Sequence, residues 1–260
     1  VALPATAQFN TPTINCGIGA DEYGTGNVNT LTSPNGNVTW YLTWDDAYLY
    51  ASVQNANEAE AAILYLDLDP IRPVNGGGNV NGNLTGLPSI YDGLSPDLPF
   101  RADAVIYAKN DYREIRLADG SGGWVPISPV GIGGLSGSDD RASDGDGVDY
   151  CTGGTSREFR VSWERLADDD LRPISFAWQG YLAYTNGIYG QVPSANPTGT
   201  FSSGATPDAI RYFTVASTAS GSSTNPLSAT SESYTHIGAS IFGPPGFPGF
   251  GSISVYDFTM

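Results

Sequence analysis

The sequence is poor in residues that bind nucleic acid, hold transition metals or extend helices. It contains one Lys, one His, one Met and two Cys in 260 residues. Eleven basic residues against 27 acidic ones give a formal net charge of −16, which would repel a phosphate backbone and excludes nucleic acid as a partner. The single histidine and the cysteine pair leave no zinc site of ordinary ligand number.

Membrane-spanning and targeting patterns are also missing from the sequence. No run approaches the ~18 apolar residues that a transmembrane helix needs. No basic-then-apolar signal segment precedes Val1. We therefore expect no membrane insertion and interpret the chain as already processed.

The two cysteines predict one disulfide. Cys16 and Cys151 form an even pair in a chain rich in Gly and Tyr, which is typical of proteins folded in an oxidising compartment. In the chain-entropy model, a bond that closes so long a loop adds about 5 kcal/mol to the free energy of unfolding. Two buried free thiols are the alternative. The pair indicates a secreted protein of an oxidising, extracellular compartment.

The abundant residues indicate strands and loops. The sequence has 33 Gly, 18 Pro and 15 Tyr, a composition typical of short strands joined by long ordered loops. Residues 38–44 and 48–53 alternate apolar and polar side chains on either side of the turn Asp45-Asp46, which predicts a hairpin. Residues 61–68 are almost continuously apolar, as expected of a central strand covered on both faces. Further strands are predicted at 102–109, 112–117, 156–163, 174–184, 188–192, 210–216 and 253–258.

These segments predict an all-β fold: an antiparallel β-sandwich with jelly-roll or immunoglobulin-like layers, long ordered loops and little helix. Residues 18–260 are predicted to form a single domain, preceded by an extended arm over residues 1–17. Residues 71–100 and 120–154 are rich in turn formers and predict long loops, the first without a strand pair. One short helix is expected after Ser162, which is its candidate cap.

Catalytic residues are not predicted. His236 has no recognisable partner for a Ser-His-Asp arrangement. A pair of carboxylates such as Glu114 and Glu158 would be needed for glycoside hydrolysis. Both alternate with apolar neighbours in predicted strands, which favours an exposed face with cross-strand ion pairs over a cleft. We therefore predict that the chain is not an enzyme, with a hydrolase as the minor alternative.

Calcium is the inorganic ligand that the acidic residues favour, because it takes six to eight oxygen ligands from compact loops. One segment has the Asp-x-Asp-Gly spacing that turns alternate carboxylates inward. Its candidate ligands are Asp139, Asp140, Asp144, Asp146 and Asp149. A second candidate is Asp67-Leu-Asp69, for which a simple strand-ending turn is the alternative.

Aromatic residues in the strands offer a second kind of ligand surface. Aromatic rings stack on the flat apolar faces of sugars, whereas in a sandwich they also serve as ordinary core or strand-face residues. The candidate sugar platform consists of Tyr41, Tyr48, Tyr50, Tyr107 and Trp124.

The stretch from Trp40 to Tyr50, Trp-Tyr-Leu-Thr-Trp-Asp-Asp-Ala-Tyr-Leu-Tyr, resembles the W-D-D-x-x-L-Y hairpin of carbohydrate-binding family 9 and DOMON-like sandwiches. Further stretches are similar to a subgroup at the head of large bacterial surface proteins. They are Tyr65–Pro70, Leu98–Asp103, Arg157–Trp163, Gln191–Pro193 with Asn196-Pro197, and Arg211–Phe213. The likeness covers about residues 18–260 and implies a β-sandwich of bacterial secreted or surface proteins.

Family 9 modules hold sugars between aromatic side chains near a sheet edge, but no such residue can be matched to a position here. Fold likeness alone is a weak argument for sugar binding. Two functions are therefore expected from the sequence. The first is a structural or adhesive surface subunit that assembles with copies of itself or other envelope components by strand addition, stabilised by calcium. The second is a carbohydrate-binding module with a polysaccharide partner.

Overall fold

The computed structural model describes residues 11–27, 30–69, 82–110, 112–127, 139–140, 148–167, 173, 175–194, 196–216, 231–237 and 255–259. The strands in these ranges are β1 (Thr30–Thr32), β2 (Thr39–Trp44), β3 (Tyr48–Gln54), β4 (Ala61–Asp67), β5 (Asn83–Thr85), β6 (Asp97–Ala102), β7 (Ala104–Lys109), β8 (Tyr112–Ala118), β9 (Trp124–Pro126), β10 (Asp139–Asp140), β11 (Val148–Gly153), β12 (Ser156–Ser162), β13 (Ser175–Tyr184), β14 (Gly187–Val192), β15 (Gly199–Thr200), β16 (Arg211–Ala216), β17 (Ser231–Ile237) and β18 (Val255–Thr259). A 3-10 turn covers Thr25–Asn27, and helix α1 covers Trp163–Ala167.

The strands form two main antiparallel sheets. The smaller sheet has six strands in the order β1-β2-β3-β12-β11-β10. The larger sheet has ten strands: eight follow the order β18-β17-β16-β13-β4-β7-β8-β9, β14 pairs with β13, and β15 pairs with β14. Strands β5 and β6 form a separate pair. The predicted all-β antiparallel sandwich with little helix is confirmed.

The main core lies between the two sheets and is filled by alternate residues of their strands. The rings of Trp44 and Trp163 lie 5.4 and 5.9 Å from the ring of Phe176 in the opposite sheet, centroid to centroid. The indole nitrogen of Trp40 donates a hydrogen bond to the carbonyl of Gly190 at 2.9 Å. The apolar face predicted for residues 38–44 is therefore the buried face of β2.

The outer face of the smaller sheet is covered by residues 11–27. The predicted disulfide is present: Cys16 is bonded to Cys151 of β11, with the two Cα atoms 5.2 Å apart. Ile14 packs beside it in a small cluster that contains Tyr50 of β3. Residues 11–17, predicted as part of an extended arm, thus lie against the chain's own sandwich, while residues 1–10 lie outside the described ranges.

The outer face of the larger sheet is covered by residues 82–102. Leu98 and Phe100 of β6 belong to the same buried cluster as Tyr65 of β4 and Val105 of β7. The strand pair β5–β6 therefore corrects the prediction that residues 71–100 form a loop without strands. Residues 71–100 contain too few apolar side chains to stabilise a strand pair on their own. The outer face of the larger sheet supplies the apolar surface against which β5 and β6 pack.

Two other local predictions have clear outcomes. Helix α1 begins where predicted, and the hydroxyl of Ser162 accepts a hydrogen bond from the N–H of Arg165 at 3.3 Å. The predicted loop 120–154 instead contains β9, β10 and β11 in its described parts. Strand β11 forms because Val148 and Tyr150 are buried in the core. The sequence does not indicate this burial, because the preceding residues are rich in Gly and Asp.

Candidate functional site

Three carboxylates meet at the end of the central strand β4. One oxygen of each of Asp67, Asp69 and Asp103 lies within 4.8 Å of the others. We call this group the acidic cluster. Asp67 is buried, Asp103 is half-buried and Asp69 is exposed.

The backbone around β4 holds the acidic cluster in place. The N–H of Leu68 donates to Asp103 Oδ2 at 2.7 Å, and the N–H of Asp103 donates to the carbonyl of Leu66 at 2.8 Å. The N–H of Asp69 donates to Asp67 Oδ1 at 3.2 Å. The turn that ends β4 therefore brings the start of β7, 35 residues later, alongside it. All the ligand atoms offered are oxygens, the type that calcium prefers.

The other predicted calcium segment has a different arrangement. Asp139 and Asp140 lie in β10, opposite Cys151 and Tyr150 of β11. Asp149 is buried and forms an ion pair with Arg160 on the neighbouring strand. Asp144 and Asp146 lie outside the described residues. The structure thus places Asp67 and Asp69 together with Asp103, and assigns Asp149 a protein partner.

The five rings of the predicted sugar platform do not share one surface. Tyr41, Tyr48 and Tyr50 lie on the outer face of the smaller sheet, in the cluster under residues 11–27. Tyr107 and Trp124 belong to the buried cluster on the outer face of the larger sheet. The alternation of β2 and β3 identified outward positions correctly, but it carries no information on which sheet a strand joins.

On the smaller sheet the rings are engaged by protein groups. The Tyr50 hydroxyl donates to Asp45 Oδ2 at 2.6 Å, and the guanidinium of Arg160 lies 4.4 Å from the ring centroid of Tyr48. The ring of Tyr41 packs against Tyr23 of the covering segment, with centroids 5.3 Å apart. These contacts describe a packed surface rather than an open platform.

On the larger sheet, the rings of three tyrosines pack together on the outer face, and a fourth tyrosine lies at the end of β13 beside Lys109. They are Tyr91, Tyr107, Tyr112 and, at the strand end, Tyr184, and we call them the tyrosine cluster. Ring centroids of the first two lie 5.1 Å apart and those of Tyr107 and Tyr112 lie 6.0 Å apart. Tyr184 is 53% exposed, and the ammonium of Lys109 lies 5.5 Å from its ring centroid.

Buried carboxylates order the tyrosine cluster. Glu114 Oε2 accepts hydrogen bonds from the hydroxyls of Tyr91 at 2.7 Å and Tyr112 at 3.0 Å. Asp92 accepts one from Tyr107 at 2.8 Å and is paired with Lys109. Burial, followed by the hydrogen bond to Glu114, raises the pKa of Tyr112 to about 12. At neutral pH its phenol is a neutral hydrogen-bond donor.

Glu114 and Glu158 lie on opposite outer faces of the sandwich. Glu114 is on β8 of the larger sheet, and Glu158 is on β12 of the smaller sheet. Both side chains are buried, with residues 1% and 0% exposed. The predicted exposed environment of these two residues is therefore wrong, because the covering segments bury them. Their separation by two sheets also excludes them as a facing carboxylate pair.

Glu158 holds the covering segment of the smaller sheet. Its Oε2 accepts hydrogen bonds from the N–H groups of Asn15 at 2.9 Å and Cys16 at 3.2 Å. Its Oε1 accepts one from the hydroxyl of Tyr23 at 3.0 Å. Burial raises the pKa of the Glu158 carboxyl above its usual value, and the neighbouring Glu22 charge acts in the same direction.

Sequence reasoning missed Asp103 and Tyr91. Asp103 lies in the Arg101-Ala-Asp103 stretch, where no spacing connects it to Asp67. Tyr91 lies in the segment predicted as a loop, whose packing depends on the sheet beneath. The sequence feature that could have pointed to these two residues is the abundance of Tyr and Asp around short turns. All five tryptophans are buried.

In comparisons with protein-family models, curated proteins and solved structures, the chain has no match. Within the described ranges, no helix has the length and apolar character needed to cross a membrane.

Proposed function

We propose that the chain is a non-catalytic structural or adhesive module of an extracellular surface. In this proposal it joins copies of itself or other envelope components by strand addition, and calcium stabilises it. The observation that carries the proposal is the edge of the larger sheet at β18, which is open among the described strands.

Strand β18 pairs with β17 through five consecutive residue pairs, from Ile237 opposite Val255 to Ser233 opposite Thr259. Among the described strands, none pairs with the other side of β18. An unpaired strand edge presents a row of N–H and C=O groups to a further strand. A neighbouring chain that supplies this strand would gain main-chain hydrogen bonds without rearranging the core.

The covered faces of the sandwich support association at edges rather than faces. Residues 11–27 cover much of the smaller sheet and residues 82–102 much of the larger. The Cys16–Cys151 disulfide fastens the first of these segments and supports an oxidising, extracellular setting. A cross-linked module of this kind is suited to a rigid scaffold.

Calcium fits the acidic cluster by chemistry and spacing. Three carboxylates within 4.8 Å can share one hard cation, whose bonds to oxygen are about 2.3–2.6 Å long. Asp67, Asp69 and Asp103 offer carboxylate oxygens from both sides of the β4–β7 connection. A bound calcium would tie the turn after β4 to the start of β7.

Proline substitutions in β18 test the proposal. Consecutive residues in a strand direct their N–H groups to opposite sides, so either Tyr256 or Asp257 directs its N–H to the open edge. Of Tyr256→Pro and Asp257→Pro, one removes that N–H and the other breaks pairing with β17. We expect the variant with unchanged thermal stability to lose the oligomers that the wild type forms in negative-stain images. Oligomers that persist in both variants would refute strand addition at β18.

The second candidate is a carbohydrate-binding module, and the tyrosine cluster favours it. Tyr91 and Tyr112 are half-buried, and the exposed Tyr184 lies beside Lys109, a combination of aromatic and polar groups that suits sugars. The test is a glycan array with the wild type and Tyr184→Ala. Binding that the substitution abolishes would support this candidate, and an empty array would reject it.

A further inference from the structure

The only lysine of the sequence lies against a buried carboxylate on the larger sheet. Lys109 ends β7, and its ammonium pairs with Asp92 of the covering residues 82–102. The side chain of Asp92 is 2% exposed and that of Lys109 is 28% exposed. Ion pairs on open surfaces are surrounded by water and contribute little, whereas this carboxylate is almost completely withdrawn from water.

The two carboxyl oxygens of Asp92 have different partners. Oδ1 accepts a hydrogen bond from the ammonium of Lys109, and Oδ2 accepts one from the hydroxyl of Tyr107 at 2.8 Å. Burial, followed by the charge of Asp92, raises the pKa of Tyr107 above its usual value, so its phenol is a neutral donor. An amine at one oxygen and a hydrogen-bond donor at the other is the arrangement that acyl transfer needs, because negative charge develops on the oxygen that stays.

The backbone on both sides of the pair is fixed by strand and turn hydrogen bonds. The N–H of Asn186 donates to the carbonyl of Asp92 at 2.8 Å, and the N–H of Gly204 donates to the carbonyl of Gly93 at 2.7 Å. Lys109 is held opposite Tyr112 in the pairing of β7 with β8. Partners that are held in this way react as if one were present at an effective concentration of about 10⁵ M or more.

Condensation of this pair balances without a further reactant. One proton passes from the Lys109 ammonium to Asp92 Oδ1, which leaves a neutral amine and a neutral carboxyl, the forms that a site poor in water favours. Nζ then bonds to Cγ, while the Tyr107 hydroxyl stabilises the negative charge on Oδ2. A second proton moves from Nζ to Oδ1, the bond between Cγ and Oδ1 breaks, and one water molecule leaves. The product is an amide.

We infer that Lys109 and Asp92 form an intramolecular isopeptide bond, which the folded chain makes from its own residues. The bond fastens residues 82–102 to β7, just as the Cys16–Cys151 disulfide fastens residues 11–27 to the smaller sheet. The inference goes beyond assembly and calcium binding, because neither β18 nor the acidic cluster takes part in it.

Digestion with lysyl endopeptidase tests the bond, because this protease needs a free lysine ammonium and the chain offers it one site. The full chain is purified in its folded form, then denatured with its disulfide reduced and alkylated. We expect the wild type to remain uncut and to weigh less than its sequence by the mass of one water. Asp92→Ala should have its full mass and be cut after Lys109 into two fragments.

Two variants that each lack one hydroxyl test the role of Tyr107. Tyr112→Phe is the matched control, since the hydroxyl of Tyr112 donates to Glu114 and not to Asp92. Bond formation is followed during cell-free synthesis as the fraction of chain that resists the protease. We expect Tyr107→Phe to form the bond about tenfold or more slowly, and Tyr112→Phe to form it at the rate of the wild type.

Three results would contradict this account. A folded wild type that keeps its full mass after prolonged incubation and is cut after Lys109 would overturn the inference. Loss of one water from a chain that is still cut after Lys109 would also overturn it, because a cyclic imide at Asp92-Gly93 explains that mass. Equal rates in Tyr107→Phe and Tyr112→Phe would overturn the role of the Tyr107 hydroxyl. Oligomers that form normally in any of these cases would leave the assembly proposal standing.

Discussion

The hydroxyl of Tyr23 donates a hydrogen bond to the buried carboxyl of Glu158 at 3.0 Å, across 135 residues of sequence. The same carboxyl accepts hydrogen bonds from the N–H groups of Asn15 and Cys16. Beside it, the Cys16–Cys151 disulfide joins the same two parts of the chain. Residues 11–27 are thus fastened to the smaller sheet by one covalent bond and one buried acid.

The buried acid predicts a specific pH dependence. The folded-state pKa of Glu158 is raised above its usual 4.5, so its contribution to the free energy of unfolding is complete below that value and is lost as pH rises through the folded pKa. Glu158→Gln can keep all three contacts, with its Oε1 toward the two N–H groups and its amide donating to the Tyr23 oxygen. We expect the Tm of Glu158→Gln minus that of the wild type to increase between about pH 4 and about pH 8.

Glu158→Ala is the companion variant. It leaves buried donors without acceptors and should lower the free energy of unfolding by about 2–4 kcal/mol in urea denaturation. A difference in Tm between Glu158→Gln and the wild type that stays constant with pH, or that falls as pH rises, would contradict the raised pKa.

The disulfide predicts a local response to reduction. Replacing both cysteines, as in Cys16→Ser with Cys151→Ser, should reduce the free energy of unfolding by about 2–5 kcal/mol. Hydrogen exchange should speed up first at the amides of Asn15 and Cys16, because the remaining anchor is Glu158. Unchanged exchange at these two amides in the double variant would show that the bond does not hold the segment.

Calcium should raise thermal stability through the acidic cluster. At a calcium concentration about 100 times the dissociation constant, a single site adds about 2.7 kcal/mol to the free energy of unfolding. We expect Asp69→Asn with Asp103→Asn to abolish the rise in Tm, because Asn keeps an oxygen acceptor but removes the charge. Scanning calorimetry of the wild type and the double variant, with calcium and then with chelator, measures this rise in Tm.

Two controls separate the candidate calcium sites. Asp46→Asn changes an exposed acid on the hairpin of the smaller sheet and should leave the calcium effect intact. Asp144→Asn with Asp146→Asn removes two ligands of the other predicted segment. If the substitutions at Asp144 and Asp146 abolish the calcium-dependent rise in Tm and those at Asp69 and Asp103 do not, calcium binds between residues 139 and 149 instead.

Gly180 predicts a packing constraint between the sheets. A Cβ at Gly180 would lie 2.9 Å from ring carbons of Trp40 in the opposite sheet, closer than atoms in contact normally approach. Gly180→Ala should therefore lower the free energy of unfolding by about 1–3 kcal/mol, measured by tryptophan fluorescence in urea. Gly153→Ala is the control, because the nearest atoms to a Cβ at Gly153 would be those of Cys16, at an ordinary contact distance of 3.7 Å. Equal stability of both variants would contradict the close packing.

The sequence predicts the inner layer of this fold well because alternation and burial are local. Trp40 and Trp44 fall on the buried face of β2, as their spacing indicates. The covering layers were harder to predict, because β6 depends on Tyr65 and Val105 of the sheet below it. Alternation gives the side of a strand on which a residue lies but not the sheet that the strand joins.

The candidate sites divide in the same way, into residues close in sequence that could be predicted and residues brought together only by strand pairing. Asp67 and Asp69 are two residues apart in sequence and are predicted together, whereas Asp103 lies beside them through the pairing of β4 with β7.

The measurement that tests the central proposal most directly is the molar mass of the purified full chain in solution, by multi-angle light scattering over a range of concentrations, with calcium and then with chelator. Assembly through the open edge of β18, with calcium stabilising the module, predicts oligomers that grow with concentration in calcium and shrink in chelator. A monomer of 27.3 kDa at every concentration in both conditions would contradict a structural subunit that assembles with itself.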